Sequence, residues 1–461
     1  MKSIFIPRYF WNGTNDEVCT NTAVLVRDNR IEQIDEPEKL RLGYPEAQVL
    51  ESNDWLMMPA FVDAHDHGRG MSPISFRTPD RALEMWLQDL NKLPAIPHYQ
   101  ACYYDGMRLV SSGVGMVLHS HNPNSFAQIR EEMVAAEKGY KDAGIRSILC
   151  PLYLDQNKRI YYDRDKFISD LPEPLRTNFA AGIHDKLHPN GGQWCSDEAL
   201  LQMKEYALEH GMYIHLHLLE TQYQAEYAKR TWGKSFIKHY KEIGFLGPWV
   251  SFAHAVWLDE EDLQLIAESG AHLITNPSSN LRLRSGIFNM QRANELGIDC
   301  GIGLDGCAFD DDQDYLREIR VAWLNNLHNG VDGEVDYKDV LKMATSRGAK
   351  ISACGLSSGF LEPGGTADFT MISVDSIEKP YADSGIDPLA LLVQRGTRQS
   401  VIMTCVNGKI AWQQNDESRK KEKDAEIQIC TAIKELRAKD DGKRDNSIVL
   451  QHVHDFYTKR K

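Results

Sequence analysis

The sequence has no apolar run that approaches the ~18 residues of a membrane-spanning helix. Its first residues, MKSIFIPRYFWNGTNDE, lack both a long apolar core and a small-residue cleavage site, so they do not read as a secretory signal. Nine cysteines are present, at positions 19, 102, 150, 195, 300, 307, 354, 405 and 430. No two form a CxxC pair and they make no even framework, which fits reduced thiols filling the core of a cytoplasmic protein. An excess of positive charge is also missing. Lys+Arg number 52 against 66 Asp+Glu, a net charge of −14, so no basic face for a nucleic acid or an anionic membrane is expected. Hydrophobic residues at 42% and charged residues at 26% are ordinary for a globular chain and exclude a disordered or collagen-like one. With 461 residues, more than one domain is expected.

What is present changes rhythm along the chain. SIFIPRYFW and TAVLVRDNRIEQID alternate apolar and polar residues, with a turn at Asp28-Asn29, as a hairpin does. VLES and LMMPAFVDAHDH read as two further strands. From residue 59 onward, short apolar runs alternate with amphipathic helical stretches such as FAQIREEMVAAEKGYKDAG and DEALLQMKEYALEHG. The runs are FVDAH, GVGMVLHSHN, IRSILCPLYL, TNFAAGIHD, GMYIHLHLLE, WVSFAHAVWL, AHLITNPSS and IDCGIGLDG. Eight such βα repeats predict an α/β fold, a TIM-like (β/α)8 barrel over 59–358. Strand character returns in FLEPGGTADFTMISVD and SVIMTCVNGKIAWQ, with an Asn-Gly turn at Val406-Asn407-Gly408-Lys409. Residues 1–58 and 359–412 are therefore expected to form one small β-sandwich domain from both chain ends. Residues 413–461 read as a charged, partly helical extension, with Ile427, Cys430, Ile433 and Leu436 at helical spacing.

Seven of the sixteen histidines fall near the ends of four predicted barrel strands. His65 and His67 form an HxH at the first, and His119 and His121 another at the second. His215 and His217 belong to the fifth, and His254 ends the sixth. Asp305 ends the eighth. Residues i and i+2 of a strand share a face, so an HxH presents two imidazoles together. Barrel active sites lie at the C-terminal ends of the strands. His65, His67, His217 and Asp305 are thus candidate metal ligands, with His215 read either as a supporting core histidine, which is favoured, or as the strand-five ligand in place of His217. Imidazole and carboxylate donors suit one divalent ion, with zinc favoured and iron, nickel or manganese also fitting.

At this point the sequence resembles a family. PAFVDAHDHG (59–68) is similar to the PGFVDxHxH opening of the amidohydrolase superfamily, with Ala60 where glycine is common. HLLET (217–221), His254 and LDG (304–306) fall where that family places its next elements. ATSRGA (344–349) and GFLEPGGTADF (359–369) resemble its closing signature. The resemblance spans roughly residues 1–412. It implies a metal-dependent hydrolase, and more narrowly the mononuclear branch of cytosine, guanine and S-adenosylhomocysteine deaminases and triazine hydrolases. That branch carries His-x-x-Glu after strand five, matched here by His217 and Glu220.

The expected chemistry is hydrolytic deamination of a pyrimidine, purine, pterin or triazine. The ion would lower the pKa of water toward ~7. Glu220 would protonate a ring nitrogen, Asp305 would accept the water's proton, and His254 would hydrogen-bond the attacking oxygen. Two alternatives follow from the same resemblance. One is a ring-opening cyclic amidase that bridges two metals with a carboxylated lysine, for which Lys186 is near the right place but reads as a surface loop lysine. The other is a non-catalytic scaffold, against which the intact set of ligands argues. Candidate substrate contacts are Arg69, His119, His121, His184, His188, Trp194, Ser279, Asn280, Arg282 and Arg284. Cationic and aromatic groups of this kind suit a flat heterocycle or one carrying an acidic group. The acidic run 310–314 is read as a helix cap. The expected partners are a small heterocycle and, in a homo-oligomer, further copies of the chain.

Overall fold

The structure is a computed structural model that describes residues 2–153, 186–189, 194–306, 311–327, 335–352, 358–443 and 447–458. Four strands come first: β1 (Lys2–Phe10), β2 (Ala23–Arg27), β3 (Arg30–Asp35) and β4 (Gln48–Pro59). Eight more alternate with helices: β5 (Phe61–Asp66), β6 (Val114–His121), β7 (Arg146–Tyr153), β8 (Lys186–Pro189), β9 (Tyr213–Leu218), β10 (Val250–His254), β11 (His272–Thr275) and β12 (Cys300–Ile302). Three close the series: β13 (Phe369–Ser373), β14 (Val401–Val406) and β15 (Lys409–Gln413).

β1–β4 and β13–β15 join in one seven-stranded sheet, in the order β15-β14-β13-β4-β1-β2-β3. The period of two along β1 explains its burial on both faces. Ile4 and Ile6 pack with Ala23, Leu25 and Leu40, the last from a helix at Pro37–Gly43. Phe5 and Phe10 pack on the other side with Met57, Phe369, Met371 and Met403. The two chain ends do meet, but in a single sheet rather than the expected sandwich. The cause is β4, which is one strand of 12 residues instead of the two short ones expected. Its length lets β1 pair along one edge, from Ser3↔Gln48 to Phe10↔Met57, while β13 pairs along the other, from Ser373↔Trp55 to Phe369↔Pro59. Pro59 has no N–H to continue the ladder, and the chain crosses to β5.

β5–β12 form an eight-stranded sheet in chain order, and every adjacent pair is parallel. Seven of the eight expected strands lie where the apolar runs fall. The fourth run, TNFAAGIHD (177–185), lies outside the described residues, and β8 is described over Lys186–Pro189. The helices between strands start and stop where their chemistry predicts. At Glu260–Ser269 the Asp259 side chain accepts from the Asp262 N–H, Asp262 reciprocates, and Gly270 ends the helix at φ 73°.

The first and last strands of this sheet meet without a ladder among the described residues. Other bonds cross the seam. Asp305 N–H donates to the His65 carbonyl at 2.9 Å. The Asp63 carboxylate accepts from Leu304 N–H at 3.0 Å. The buried Tyr315 hydroxyl lies 2.5 Å from the Val62 carbonyl and 2.9 Å from that of Ile302, one on each strand.

The C-terminal extension holds two helices, Asp416–Lys439 and Ser447–Thr458. The first docks through Ala425 and Ile429; of the expected stripe, Cys430, Ile433 and Leu436 are half-buried and Ile427 is 54% exposed. Ile429 lies against Gly70, three residues past His67, where an added Cβ would come within 2.8 Å of Ile429 Cδ1. The second places the Tyr457 hydroxyl 2.8 Å from Glu84 Oε2, and Glu84 Oε1 accepts from the Thr221 hydroxyl at 2.6 Å. Among the described residues no helix is long and apolar enough to cross a membrane.

Tyr315→Phe removes the only donor of that seam bridge and leaves two buried carbonyls facing each other. It should lower the unfolding free energy by about 1–3 kcal/mol. Urea denaturation of the two chains measures this; an unchanged midpoint and slope would show that the seam does not depend on the hydroxyl.

Candidate active site

β5, β9, β10 and β12 deliver histidines and one aspartate to a common point at their C-terminal ends. Ligand atoms of His65, His217, His254 and Asp305 all lie within 4.8 Å of one another. His67 Nε2 joins them, 3.0 Å from Asp305 Oδ1 and 3.3 Å from His217 Nε2. Every sequence-predicted ligand is therefore in the cluster, and so is His254. The backbone bends sharply to achieve this: Leu219, His254, Ala255 and Asp305 all sit at positive φ, between 50° and 73°. A left-handed conformation costs a non-glycine residue ~1–2 kcal/mol, and here the residues fall at the ends of β9, β10 and β12.

The hydrogen bonds around the cluster fix which ring nitrogens are bare. His67 Nδ1 lies 2.9 Å from the Ser120 carbonyl, which can only accept, so Nδ1 carries the proton and Nε2 keeps its lone pair. His65 Nδ1 lies 2.7 Å from His215 Nε2, and His215 Nδ1 lies 2.9 Å from the Ser251 hydroxyl. With Ser251 Oγ accepting, each ring donates from Nδ1, and His65 Nε2 is left bare 3.3 Å from Asp305 Oδ1. His215 thus stands behind the His65 ring. Asn280 Oδ1 accepts from His254 Nδ1 at 2.9 Å, leaving His254 Nε2 bare as well. The buried Nε2 atoms of His65 and His254 make no hydrogen bond.

Lone pairs and a carboxylate oxygen at 3.0–3.3 Å repel one another unless a cation lies among them. Imidazole nitrogen and carboxylate oxygen are donors for a divalent metal, and the residues present fit one. Burial pushes the Asp305 carboxyl up, but the neighbouring His65 and His67 imidazoles outweigh it and hold the group well below the usual carboxylate range. Ser279 donates to its other oxygen at 2.6 Å. Burial lowers His65 and takes His254 down to about 4, so both rings are neutral near pH 7.

Glu220 sits beside the cluster with Oε2 3.7 Å from His254 Nε2. Burial, then the negative charges of Asp305 and Glu84, push its carboxyl well above the usual range. This favours its neutral, protonated form, and its buried Oε1 makes no hydrogen bond.

The candidate substrate contacts divide. Arg69 follows the HxH, its guanidinium 5.8 Å from the Trp86 ring centroid, and its Nε is buried without a hydrogen bond. Asn280 is committed to His254. Ser279 is committed to Asp305. Arg282 makes a bidentate pair with Asp80, at 2.8 and 3.1 Å, and reaches Asp311 at 3.2 Å. Arg284, at φ 59°, follows the same helical turn. Trp194 is half-buried and precedes Cys195, whose thiol reaches the Tyr153 carbonyl at the end of β7. His119 lies against Gly68, where an added Cβ would come within 2.7 Å of its ring, and His121 faces away toward Glu132. His184 lies outside the described residues. In the acidic run, Asp314 caps the helix Tyr315–Asn325 by accepting from the Arg317 N–H, while Asp310 lies outside the described residues.

Lys186 corrects another expectation. It opens β8, where it pairs with Tyr213 at the start of β9, and does not sit in a loop after the strand. His217 lies near the opposite end of β9, so Lys186 begins at the end of the sheet away from the cluster. A bridging lysine for a second ion would have to come from the other end. Residues that sequence reasoning missed are Asp63, Ser120, Ser251 and Asn276. Only Asp63 carried a signal, as the carboxylate two residues before His65.

A family model described as the amidohydrolase family matches residues 56–411. The chain belongs to the amidohydrolase family. Among its relatives is a 5-methylthioadenosine/S-adenosylhomocysteine deaminase of Thermococcus kodakarensis, 28% identical over 410 residues, covering 86% of this chain and 91% of the relative. A 5′-deoxyadenosine deaminase of Methanosarcina mazei is 30% identical over 403 residues, covering 85% and 88%. In structure the chain is similar to a zinc-bound adenosine deaminase of Xanthomonas campestris, with a TM-score of 0.79 at 20% identity, covering 93% of this chain and 98% of that one. The fold is a TIM-barrel-like α/β fold, and this amidohydrolase is a hydrolase acting on C–N bonds.

His215→Ala would free the His65 ring to turn and to place its proton on Nε2. Affinity for zinc should fall by ~10–100-fold, the usual worth of such a supporting bond. Competition with a chromophoric chelator reads it directly; an affinity equal to that of the unaltered chain would remove His215 from the metal centre.

Proposed function

We propose that the chain is a metal-dependent aminohydrolase that releases ammonia from a nitrogen heterocycle, and that its substrate is the 6-aminopurine of a 5′-modified adenosine. The observation that carries this reading is the meeting of bare acceptors, His65 Nε2, His67 Nε2 and Asp305 Oδ1, beside the neutral acid Glu220. The substrate class is supported by the relatives named for methylthioadenosine, S-adenosylhomocysteine and 5′-deoxyadenosine.

His65, His67, His217 and Asp305 would hold the ion, with zinc favoured by this donor set. Once bound there, it supplies the charge that brings the pKa of a water molecule to about 7. The side chains do the rest. Glu220 donates its proton to the ring nitrogen next to the amino-bearing carbon and makes that carbon electrophilic. His254 Nε2, kept bare by Asn280, accepts a hydrogen bond from the attacking water and holds it on line. Asp305 takes that water's proton and passes it to the amino nitrogen, which leaves as ammonia. The oxygen's remaining proton returns to Glu220 as the C=O bond forms, so the acid is restored. Arg69, with its unpaired buried Nε, is the cation available to a polar 5′ substituent.

Glu220→Gln should keep its metal and lose at least ~100-fold in turnover. The acid form is the working one, so turnover of the unaltered enzyme should fall as pH rises through the raised pKa of Glu220. Coupled ammonia release from adenosine, 5′-deoxyadenosine, methylthioadenosine and S-adenosylhomocysteine, set against guanine, cytosine and an aminotriazine, tests the substrate class. Turnover of the second group alone would overturn it, and full activity of Glu220→Gln would overturn the mechanism.

A further inference from the structure

A second cluster lies outside the site described. It joins His98, which opens the helix His98–Ser111, His121, the last residue of β6, and Glu132, in the first turn of the helix Ile129–Ala143. We propose that His98, His121 and Glu132 form a second divalent-cation site, of zinc type, separate from the one at the strand ends.

The geometry is that of a ligand set. Glu132 Oε2 lies 3.2 Å from His98 Nε2 and 3.5 Å from His121 Nε2, and all three atoms lie within 4.8 Å of one another. Tetrahedral zinc, with bonds of about 2.0–2.1 Å, sets its ligands ~3.4 Å apart. Both buried Nε2 atoms make no hydrogen bond. The side chains of His98, His121 and Glu132 are only 11%, 0% and 12% exposed, so water does not supply the missing partners freely.

A chain of hydrogen bonds prepares His121. The Tyr140 hydroxyl donates to Asp105 Oδ2 at 3.2 Å, and His119 Nδ1 lies 3.1 Å from the Tyr140 oxygen. His119 Nε2 lies 3.2 Å from His121 Nδ1. With the Tyr140 proton given to Asp105, the Tyr140 oxygen accepts from His119 Nδ1–H and His119 Nε2 accepts from His121 Nδ1–H, so His121 carries its proton on Nδ1 and turns a lone pair toward Glu132. Glu132 is held in turn by the Asn124 and Ser125 N–H groups, each at 3.0 Å. A lone pair facing a carboxylate is the same electrostatic conflict as at the active site, and a cation resolves it. Two nitrogens and one oxygen make a borderline donor set that selects zinc over magnesium or calcium and leaves a fourth position for water.

The test is zinc stoichiometry, measured by elemental mass spectrometry on the full chain after zinc loading and removal of excess metal. His98→Gln keeps an amide donor for Glu132 but removes a ligand, and Glu132→Gln removes the carboxylate charge. Each should lose one equivalent of zinc relative to the unaltered chain, and His98→Gln should keep its ammonia-releasing activity, which also shows that it is folded. An ordinary His98–Glu132 ion pair predicts no change in zinc content. Equal stoichiometry in all three chains would overturn the proposal. So would an unaltered chain that holds a single equivalent, whatever the stability of the variants.

Discussion

One carboxylate oxygen is held within 3.3 Å of two imidazole nitrogens that, like it, can only accept, with no proton to share. Left alone, that arrangement would fly apart. It persists because each group is tied from behind. The Ser120 carbonyl holds His67, the His215–Ser251 pair holds His65, and Ser279 holds Asp305. Those partners sit on β6, β9, β10 and the turn after β11, so the whole curved sheet serves as the frame for one unfavourable contact. The positive-φ residues at the strand ends are part of the same cost. The backbone is bent where straight strands would carry the side chains past one another.

Much of this was legible in the sequence because its signal is periodic. An HxH at a strand end has a fixed geometry, and the pairs on β5 and β9, with His254 and Asp305 at the ends of later strands, leave little choice about where they converge. The supporting residues were not legible. Ser120, Ser251 and Asn276 are common polar residues with no period of their own, and only distance reveals what they hold. The sheet made from both ends was read correctly as a union of the termini but incorrectly as two layers. The stretch Glu51-Ser52-Asn53-Asp54 looks like a turn, yet β4 runs through it. Its polar groups find partners beside the strand: Glu51 pairs with Arg41, and Asp54 accepts from the Ser373 hydroxyl at 3.0 Å and the Asp375 N–H at 2.6 Å. On the C-terminal helix, spacing singled out Cys430, Ile433 and Leu436, which are half-buried, but not Ala425 and Ile429, which are buried, Ile429 against Gly70.

Glu220 and Asp305 are two carboxyl groups in one pocket with opposite protonation. Both are buried, and burial alone would raise both. Asp305 is paired with imidazoles and stays charged, whereas Glu220 has no cation beside it and feels Asp305 as a like charge. The division of labour between a base and an acid is thus set by which of the two the histidines surround. Sequence alone assigns the residue types but not this difference, since it depends on the nearest neighbours in space.

The seven-stranded sheet has a consequence for how the molecule is made. Translation delivers β1 to β4 first, while β13, which covers the far edge of β4, appears only from Phe369 onward. Until then Leu56, Met57 and Met58 lie on an open strand edge, on a ribosome-bound chain whose barrel is still emerging. That interval is the period of greatest exposure to wrong pairing. It ends when the last strands arrive and the earliest part of the chain is closed by the latest.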